Sequence, residues 1–574
     1  MTNTPGTDGG DALVSAFNAV GADYVFCSSG SEWAPVWEAL ARRHRDGAPA
    51  PGYLDLTHET VAVGMATGYG LVKRRPQGVL LHAAPGLLQG SMAVHGALLA
   101  GVPMVVASSE STTYGDAPGH DPGGQWYRNL SIVGGPHGIA RPFTKWSTEA
   151  AGVHTLPTMV TRAAELAWRA PAGPAYLNIP LEILLEEWDG REAKPIVAPG
   201  STHSSPEEVD PVAQLIREAV NPVIVTETAG REAGGFEALV AFAEAWNIPV
   251  VEPDSAVCGN FPRTHPLHAG SDIGPWMDTA DLILLVNCRA PFYPPSRRPS
   301  QAKIVVIDEV PQRPHVVYQV LFADTYLEGD VANTLRQLTK RAKAAMADEA
   351  AERAVAERRA AQHTRYSEET GALARAEVKA CEDPESPGVD PVLVAATLRK
   401  LLDGRNGIVV DETITHSRVV RRHLRTADPD SYFYVQGGLG QGIAVALGVK
   451  LAARERPVVL TIGDGAFTYN PVIPSYDASK AYGLPLLIVV FNNRVYKSMN
   501  LNHRRFYPDG AAAETGEWLG TDLHRLPRLA DFAEPFGMHT ETVDTANDLA
   551  PALQRALKAV SEGTTAVVDV LVTR

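Results

Sequence analysis

The stretch from Val458 to Asn493 reads VVLTIGDGAFTYNPVIPSYDASKAYGLPLLIVVFNN, and it contains the strongest indication of the fold. Two apolar, β-branched runs, Val458–Ile462 and Leu486–Phe491, flank a longer segment. This alternation is typical of a strand, a crossover helix and a second parallel strand. Asp464 and Asn493 lie just beyond the two runs. We therefore expect a carboxylate and an amide oxygen at the edge of a parallel sheet where ligands bind.

The same alternation recurs along the 574 residues and predicts an α/β protein with three domains, each containing a mostly parallel sheet flanked by helices. We expect the domains at residues 1–190, 205–340 and 389–574, with a charged helical connector at 341–388. The predicted strands are Tyr24–Cys27, Gly78–Leu81, Pro103–Ser108 and Ala175–Ile179, then Asn221–Thr226, Ile248–Val251, Leu282–Val286 and Lys303–Asp308, then Gly407–Asp411, Val458–Ile462, Leu486–Phe491 and Thr565–Val572.

Composition excludes several classes of partner. The formal net charge of −15 opposes binding to nucleic acid or to anionic lipid. No window approaches the roughly 18 to 20 apolar residues that span a bilayer, and the N-terminal residues do not resemble a secretory signal. We therefore expect a cytoplasmic protein. The four cysteines lie far apart without a CxxC pair, which predicts reduced, mostly buried thiols: Cys27, Cys258, Cys288 and Cys381.

The turn Gly463-Asp464-Gly465 has the residue types that could bind an anion and a cation at the same place. Its glycines let the backbone approach phosphate oxygens, and the helix that follows points N–H groups at the anion. Asp464 and Asn493 offer the oxygen ligands that Mg²⁺ prefers. On its own, such a turn is also compatible with an ordinary tight turn.

With an Asn-Asn pair 29 positions beyond Asp464, the segment resembles the fingerprint of thiamine-diphosphate-dependent enzymes. The resemblance implies thiamine diphosphate and Mg²⁺ as cofactors, and it implies pyrimidine-binding, central and diphosphate-binding domains in that order. The spacing is about two residues longer than in the family, with Asn470-Pro471 as the expected insertion. The implied metal ligands are Asp464, Asn493 and the backbone carbonyl of Val495, and the implied cofactor contacts nearby are Gly463, Gly465, Ala466 and Tyr496.

Three further segments fit this resemblance. Glu59 opens a helical run, where a glutamate is favoured by the helix dipole alone; the family uses this position to bind N1′ of the aminopyrimidine and promote proton removal. In Gln436-Gly437-Gly438-Leu439-Gly440, the resemblance places Leu439 beneath the cofactor and the carbonyl groups of Gly437 and Gly438 near its amine. Thr415 follows a predicted strand where the family anchors the diphosphate.

The resemblance also predicts the assembly. Glu59 and Asp464 lie in different predicted domains, and in this family the two residues that serve one cofactor come from different subunits. We therefore expect a homodimer or homotetramer with active sites at the dimer interface.

Among family branches, the chain resembles acetolactate synthase and benzoylformate decarboxylase. The resemblance implies that Ser31, in Gly30-Ser31-Glu32, touches the substrate carboxylate and that His82 relays protons. The residues alone leave an alternative for each position. Ser31 is also compatible with a helix N-cap, and His82 is also compatible with a hydrogen-bonded histidine at a strand end. Arg128, in the loop Gln125–Asn129, is a candidate for holding a carboxylate and is equally compatible with a solvent-exposed arginine.

The expected reaction is decarboxylation of a 2-oxo acid, followed by carboligation to a second carbonyl compound or by release of an aldehyde. The segment Ala290–Pro295 lacks the second histidine of benzoylformate decarboxylase, which argues against simple aldehyde release, and Tyr496–Asp522 is expected to line the substrate entrance. The alternatives are 2-hydroxyacyl-CoA lyase-type chemistry, a catalytically silent cofactor-binding homologue, and flavin-dependent redox chemistry. FAD is not indicated, because the central domain shows no GxGxxG after a strand.

Overall fold

The computed structural model describes residues 7–111, 130–132, 134–294, 296–314, 316, 319, 322–345 and 349–573. Within these ranges the chain forms three parallel sheets flanked by helices, which confirms the predicted α/β class. The strands are β1 Tyr24–Ser28, β2 Gly52–Leu56, β3 Gln77–Leu80, β4 Met104–Ser108, β5 Trp146–Glu149, β6 Pro174–Asn178, β7 Pro222–Thr226, β8 Val250–Val251, β9 Leu282–Val286, β10 Lys303–Asp308, β11 Thr325–Glu328, β12 Ile408–Glu412, β13 Tyr432–Tyr434, β14 Val458–Gly463, β15 Leu487–Asn492, β16 His539–Val543 and β17 Ala566–Leu571.

The helices of the described residues alternate with these strands. They are α1 Gly9–Val20, α2 Ala34–Asp46, α3 Glu59–Lys73, α4 Ala84–Leu99, α5 Pro136–Ala140, α6 Leu156–Trp168, α7 Leu181–Leu185, α8 Pro206–Glu218, α9 Gly235–Trp246, α10 Gly274–Met277, α11 Val331–Ala345, α12 Glu349–Lys379, α13 Pro391–Leu402, α14 Ser417–Leu424, α15 Gly442–Ala452, α16 Asp464–Tyr469, α17 Val472–Ala481, α18 Lys497–Phe506, α19 Ala511–Thr515 and α20 Ala546–Ser561.

The first and third sheets have the same topology. Their strand orders are β2-β1-β3-β4-β6-β5 and β13-β12-β14-β15-β17-β16, and the middle sheet has the order β11-β10-β9-β7-β8. In the first sheet the strand order switches between the parallel neighbours β1 and β3, and in the third sheet between β12 and β14. Because ligands bind at the carboxyl ends of strands where the order reverses, each of these two sheets offers one such crevice.

The chain divides into two compact units. Unit 1 contains residues Met1–Pro199, Val435–Glu455 and Thr468–Leu484, and therefore holds the first sheet together with α15 and α17. Unit 2 contains Gly200–Tyr434, Arg456–Phe467 and Pro485–Arg574, and holds the second and third sheets.

Within unit 1, helix α15 packs directly on α3 through glycines. A Cβ at Gly68 would lie 1.9 Å from the carbonyl oxygen of Val445, and one at Gly448 would lie 2.0 Å from that of Met65. Only residues without a side chain allow two backbones to come this close. The glycines of the two helical runs therefore fix how α15 sits on α3.

Each predicted strand corresponds to an observed strand, with ends shifted by at most two residues. Strands β2, β5, β11, β13 and β16 are not among the strands predicted above; all lie at sheet edges. The edge strands β5 and β16 read WSTE and HTETV and are mostly half-buried, so their sequences lack an apolar run. The four cysteines form no disulfide among the described residues, and Cys381 is exposed whereas Cys27, Cys258 and Cys288 are buried. Within the described ranges, no helix combines the length and apolar character needed to cross a bilayer.

Candidate active site

A buried glutamate and a histidine meet at the crevice of the first sheet. Glu32 follows β1 and is fully buried, and His82 follows β3. Oε1 of Glu32 lies 2.6 Å from Nδ1 of His82 and accepts a second hydrogen bond from the backbone N–H of Ala83 at 2.8 Å. Its Oε2 has no hydrogen-bond partner among the described residues. A buried carboxylate requires hydrogen-bond partners, and Nδ1 of His82 is one of the two that Glu32 has in the described chain. This hydrogen bond therefore fixes the orientation of the His82 ring.

The glycine before this pair makes the contact feasible. A Cβ at Gly30 would lie 2.2 Å from Nδ1 of His82 and 2.3 Å from Oε2 of Glu32. No larger residue fits there without separating the two side chains. The Gly30-Ser31-Glu32 segment is therefore shaped around the Glu32–His82 contact.

The electrostatic surroundings raise the pKa of His82. The hydrogen bond to Glu32 is the largest cause, burial opposes it, and the charges of Glu32 and Glu59 add to it. The imidazole is 27% exposed, whereas the Glu32 side chain is fully buried. With Nδ1–H donated to Glu32, Nε2 is the ring atom left to exchange a proton.

Glu59 lies at the start of α3, as the sequence predicted, and close to the same crevice. His58 caps the helix, because its Nδ1 accepts the backbone N–H of Thr60 at 3.1 Å. A Cβ added to Gly86 would meet Oε1 of Glu59 at 3.1 Å and Cβ of His82 at 2.8 Å. The first turn of α4 thus passes beside both residues. The half-buried Glu59 carboxylate accepts no hydrogen bond from the part of the chain that the structure describes.

The glycine-rich loop at residues 436–440 packs on the same helix α4. A Cβ at Gly437 would lie 2.4 Å from Cα of Gly96, and one at Gly438 would lie 3.1 Å from Sδ of Met92. Gly437 and Gly438 have φ of 88° and 131°, values that favour glycine. Leu439, which lies between Gly438 and Gly440, is partly exposed. Unit 1 thus brings Glu59, His82 and this loop to one helix.

The expected insertion has a structural role in unit 1. Asn470 is buried, and its Oδ1 accepts the backbone N–H of Ile443 in the first turn of α15 at 3.1 Å. This bond satisfies a helix N-terminal N–H that has no partner within the helix. Asn470 therefore fixes the start of the helix that follows the glycine-rich loop.

The crevice of the third sheet, in unit 2, collects the predicted metal ligands. Asp464 follows β14 and Asn493 follows the neighbouring strand β15. Asp464 Oδ1 accepts the N–H of Gly465 and Oδ2 that of Arg494, both at 2.7 Å, and Asn493 Oδ1 accepts the N–H of Val495 at 3.0 Å. These contacts hold both side chains at the sheet edge.

The donor set fits a hard cation. Burial raises the pKa of Asp464 to about 6, so a bound cation would favour its charged form. No group of three or more His, Cys, Asp or Glu residues in the described ranges is arranged to hold a metal ion. A carboxylate, an amide oxygen and a backbone carbonyl are instead the ligands that suit Mg²⁺ with a diphosphate.

The loop after β12 borders the same crevice. Asp411 is buried and accepts hydrogen bonds from the hydroxyl groups of Thr413 and Tyr432, both at 2.7 Å. Ile414 then adopts φ of 53°, a strained value for a β-branched residue and one that concentrates at functional sites. Thr415 follows it. A Cβ at Gly463 would lie 3.7 Å from the carbonyl oxygen of Thr413, so this loop lies beside the Gly463-Asp464 turn.

Other predicted residues are placed as follows. Tyr496 lies against Gly465, where an added Cβ would be 2.4 Å from its ring, and Ala466 is buried in α16. Ser31 is exposed and opens a single 3₁₀ turn whose N-cap is Gly30, so the helix-cap alternative for Ser31 is wrong. Arg128 and the loop Gln125–Asn129 lie outside the described residues.

The sequence analysis missed Glu32. The available signal was a charged residue directly after Gly-Ser at a strand end, but only the tertiary contact with His82 gives it a role. A second missed contact joins two segments that were named: Arg505 Nη1 donates to Oη of the exposed Tyr293 at 2.9 Å, within unit 2.

Comparisons with known proteins identify the family and the fold. Models of the thiamine pyrophosphate enzymes match residues 7–127 as the N-terminal TPP binding domain, 209–338 as the central domain and 413–570 as the C-terminal TPP binding domain. Benzoylformate decarboxylase of Pseudomonas aeruginosa is 27% identical over 94% of both chains. Acetolactate synthase isozyme 3 large subunit of Escherichia coli is 24% identical over 98% of this chain and 94% of its own. A solved structure of a putative thiamin diphosphate-dependent enzyme from Mycobacterium smegmatis shares the fold, with a TM-score of 0.76, 23% identity and 99% of both chains covered.

Proposed function

The chain belongs to the thiamine pyrophosphate enzyme family, and on that premise we propose that it is a Mg²⁺-dependent member that decarboxylates a 2-oxo acid. When bound, the cofactor supplies the nucleophilic carbon and the electron sink for breaking a carbon–carbon bond next to a carbonyl. In this proposal residues 1–190 bind the pyrimidine, 205–340 form the central domain and 389–574 bind the diphosphate. The relatives at 24% to 27% identity, a decarboxylase and a synthase, support this class of reaction.

The residues of the two crevices would hold the cofactor as follows. Mg²⁺ is bound by Asp464, Asn493 and the backbone carbonyl of Val495. Thr415 contacts the diphosphate. The Glu59 carboxylate, which lacks a hydrogen bond within the described residues, binds the pyrimidine nitrogen. The backbone at Gly463, Gly465 and Ala466 faces the diphosphate, and Gly437, Gly438, Leu439 and Tyr496 contact the rest of the cofactor.

His82, positioned by Glu32, donates the proton that takes the place of the released CO₂. Below its raised pKa, the His82 imidazole is protonated on both ring nitrogens and carries a positive charge. Glu32 stabilises this charge by accepting the hydrogen bond from Nδ1. His82 donates the proton from Nε2 and keeps the one on Nδ1, so the ring returns to a single tautomer after each turnover. The hydrogen-bonded contact between His82 and the buried Glu32 at the crevice of the first sheet is the observation that carries the proposal. Ser31, exposed at the same crevice, is the candidate contact for the substrate carboxylate.

Carboligation is the second candidate outcome. The segment Ala290–Pro295 contains no histidine, and its Tyr293 is engaged by Arg505 rather than free to relay a proton. With one histidine instead of two, protonation competes less well with capture by a second carbonyl compound. This favours an acyloin or acetolactate-type product when an acceptor is present.

Product analysis tests the proposal. The protein, saturated with thiamine diphosphate and Mg²⁺, is offered pyruvate, 2-oxobutyrate and benzoylformate, each with and without acetaldehyde, and CO₂ and aldehyde are measured. We expect CO₂ from at least one acid, with less aldehyde than CO₂ if ligation occurs, and at least a 10²-fold lower rate in His82→Asn. Cofactor uptake without CO₂ from any 2-oxo acid would favour a silent homologue, or a lyase if a 2-hydroxyacyl-CoA is cleaved instead.

The assembly is tested separately. We propose a homodimer or homotetramer with active sites at the dimer interface, and analytical ultracentrifugation of the cofactor-saturated protein measures it. A monomer that retains full activity would contradict this part of the proposal.

A further inference from the structure

Unit 2 contains a cavity of about 330 Å³ that the proposed function does not use. Its walls come from the loops after β8, from α12 and from α14. None of Asp464, Asn493 and Thr415 lines it. This volume is at the lower end for small-molecule sites, so it suits a ligand well below dinucleotide size.

Helix α14 and its C-cap residue Arg425 present four arginines to this cavity. Arg418, Arg421, Arg422 and Arg425 follow the spacing i, i+3, i+4 and i+7, and all four line the cavity. Side chains at these spacings lie on one side of a helix, and like charges there repel each other. Such a face is unfavourable unless negative charge opposes it.

The protein itself neutralises only part of this charge. Arg418 pairs with Asp254, Arg422 Nε lies 3.7 Å from Oε1 of Glu369, and on the opposite wall Arg263 lies 3.0 Å from the buried Glu252. The six arginines of the lining are thus opposed by Asp254, Asp272, Glu369 and the adjacent Glu252, which leaves two positive charges in excess. The chain as a whole carries −15, so this excess is local and specific.

Three arginines have neutral partners. The buried Arg421 donates to the backbone carbonyl groups of residues 253, 254 and 256, Arg425 Nη2 to Oη of Tyr366 at 3.2 Å, and Arg365 of α12 stacks on Trp276 at 4.5 Å. Guanidinium groups without a carboxylate partner are the groups that bind phosphate or carboxylate in two-pronged fashion.

Two polar atoms of the lining also lack partners in the described chain. Gln362 is 3% exposed and its Nε2 donates to the carbonyl oxygen of Pro266, but its Oε1 has no hydrogen-bond partner. Nε of Arg425 is likewise unpartnered. A ligand that fills the cavity would bring an anionic group to the arginines and a hydroxyl donor to Gln362, because buried polar atoms require such partners.

We propose that this cavity binds a small hydroxylated organic phosphate, with its phosphate between Arg365 and Arg425 and a hydroxyl group donating to Gln362 Oε1. The site is separate from the cofactor site and does not depend on the proposed function. Helix α14 begins directly after the turn that contains Thr415, the predicted diphosphate anchor.

Isothermal titration at fixed ionic strength tests the site on protein already saturated with thiamine diphosphate and Mg²⁺, which excludes binding at the cofactor site. The probes are ribose 5-phosphate, inorganic phosphate, ribose and citrate, with chloride as the ionic-strength control. We expect one saturable site, with ribose 5-phosphate tighter than inorganic phosphate and ribose weakest. The double variant Arg365→Gln/Arg425→Gln should weaken phosphate binding at least about tenfold, since a charge-assisted contact is worth about 1.5 kcal/mol or more.

Three further variants keep the test decisive. Arg365→Gln alone changes an exposed residue and covers the case in which the double variant does not fold. Arg375→Gln is the matched control, because it removes an exposed arginine from the same helix that does not line the cavity. Gln362→Leu should remove the preference for ribose 5-phosphate over inorganic phosphate. Phosphate binding that is absent, or equal in native and variant proteins, or weaker than citrate binding, would overturn the proposal.

Discussion

Nδ1 of His82 lies 2.6 Å from Oε1 of Glu32, although fifty residues separate the two in sequence. The strand order of the first sheet explains the contact: β1 and β3 are neighbours, and each residue follows one of them. The third sheet repeats this order and places Thr413 beside Gly463 in the same way. The same topology therefore positions the proposed acid–base pair in one sheet and the proposed site for the diphosphate and Mg²⁺ in the other.

The first prediction concerns the pH dependence that Glu32 imposes. Glu32 raises the pKa of His82, and Glu59 contributes in the same direction. If His82 acts as the acid, activity falls as pH rises through that pKa. Glu32→Gln should shift the basic limb of the kcat/KM profile to lower pH and reduce kcat about 10²-fold, the lower end of what a positioned acid–base group contributes.

The matched control for this variant is Glu38→Gln, which changes a side chain that is 60% exposed on α2. Its profile should superimpose on that of the native protein. An unshifted profile for Glu32→Gln would show that the buried carboxylate has only a structural role.

The second prediction concerns the metal. Asp464→Asn keeps an oxygen at the site but removes its charge, so Mg²⁺-dependent affinity for thiamine diphosphate should fall at least about tenfold, or about 1.4 kcal/mol. EDTA treatment of the native protein should have the same effect, and Mg²⁺ should reverse it. Asp477→Asn, an exposed aspartate of α17, serves as control in the same titration. Cofactor affinity that is insensitive to both EDTA and Asp464→Asn would contradict metal-dependent cofactor binding through Asp464.

The third prediction concerns the packing of α15 on α3. Because a Cβ at Gly448 would lie 2.0 Å from the carbonyl oxygen of Met65, Gly448→Ala forces the helices apart. The free energy of unfolding should fall by about 1 to 3 kcal/mol, as for other overpacked positions. Gly152→Ala has no neighbour within 4 Å and should change it by less than about 0.5 kcal/mol. Urea denaturation measures both; equal effects would refute the close approach.

Much of the fold is predictable from the chain. The strands β1, β3, β4 and β6 are apolar runs buried in the first sheet, and Glu59 lies where a helix dipole favours it. Edge strands such as β16 escape prediction, because half of their surface faces solvent and their sequences are correspondingly polar.

The chemistry of individual side chains was less predictable. Ser31 and Glu32 are adjacent, yet one is exposed and the other fully buried, and no local pattern distinguishes them. The arginines of α14 have visible helical spacing, but their excess charge emerges only once α12 and the loops after β8 are in place. Contacts between distant segments, rather than propensity, determine these roles.

We propose that Glu59 and Asp464 serve one thiamine diphosphate, and a comparison of cofactor binding with turnover in Glu59→Gln tests this proposal. Calorimetry with thiamine diphosphate and Mg²⁺ and a CO₂-release assay are run on the same preparations. We predict that the native protein binds the cofactor with Mg²⁺, and that Glu59→Gln still binds it but releases CO₂ about 10² to 10⁴-fold more slowly. Failure of the native protein to take up the cofactor, or native turnover in Glu59→Gln, would contradict the claim.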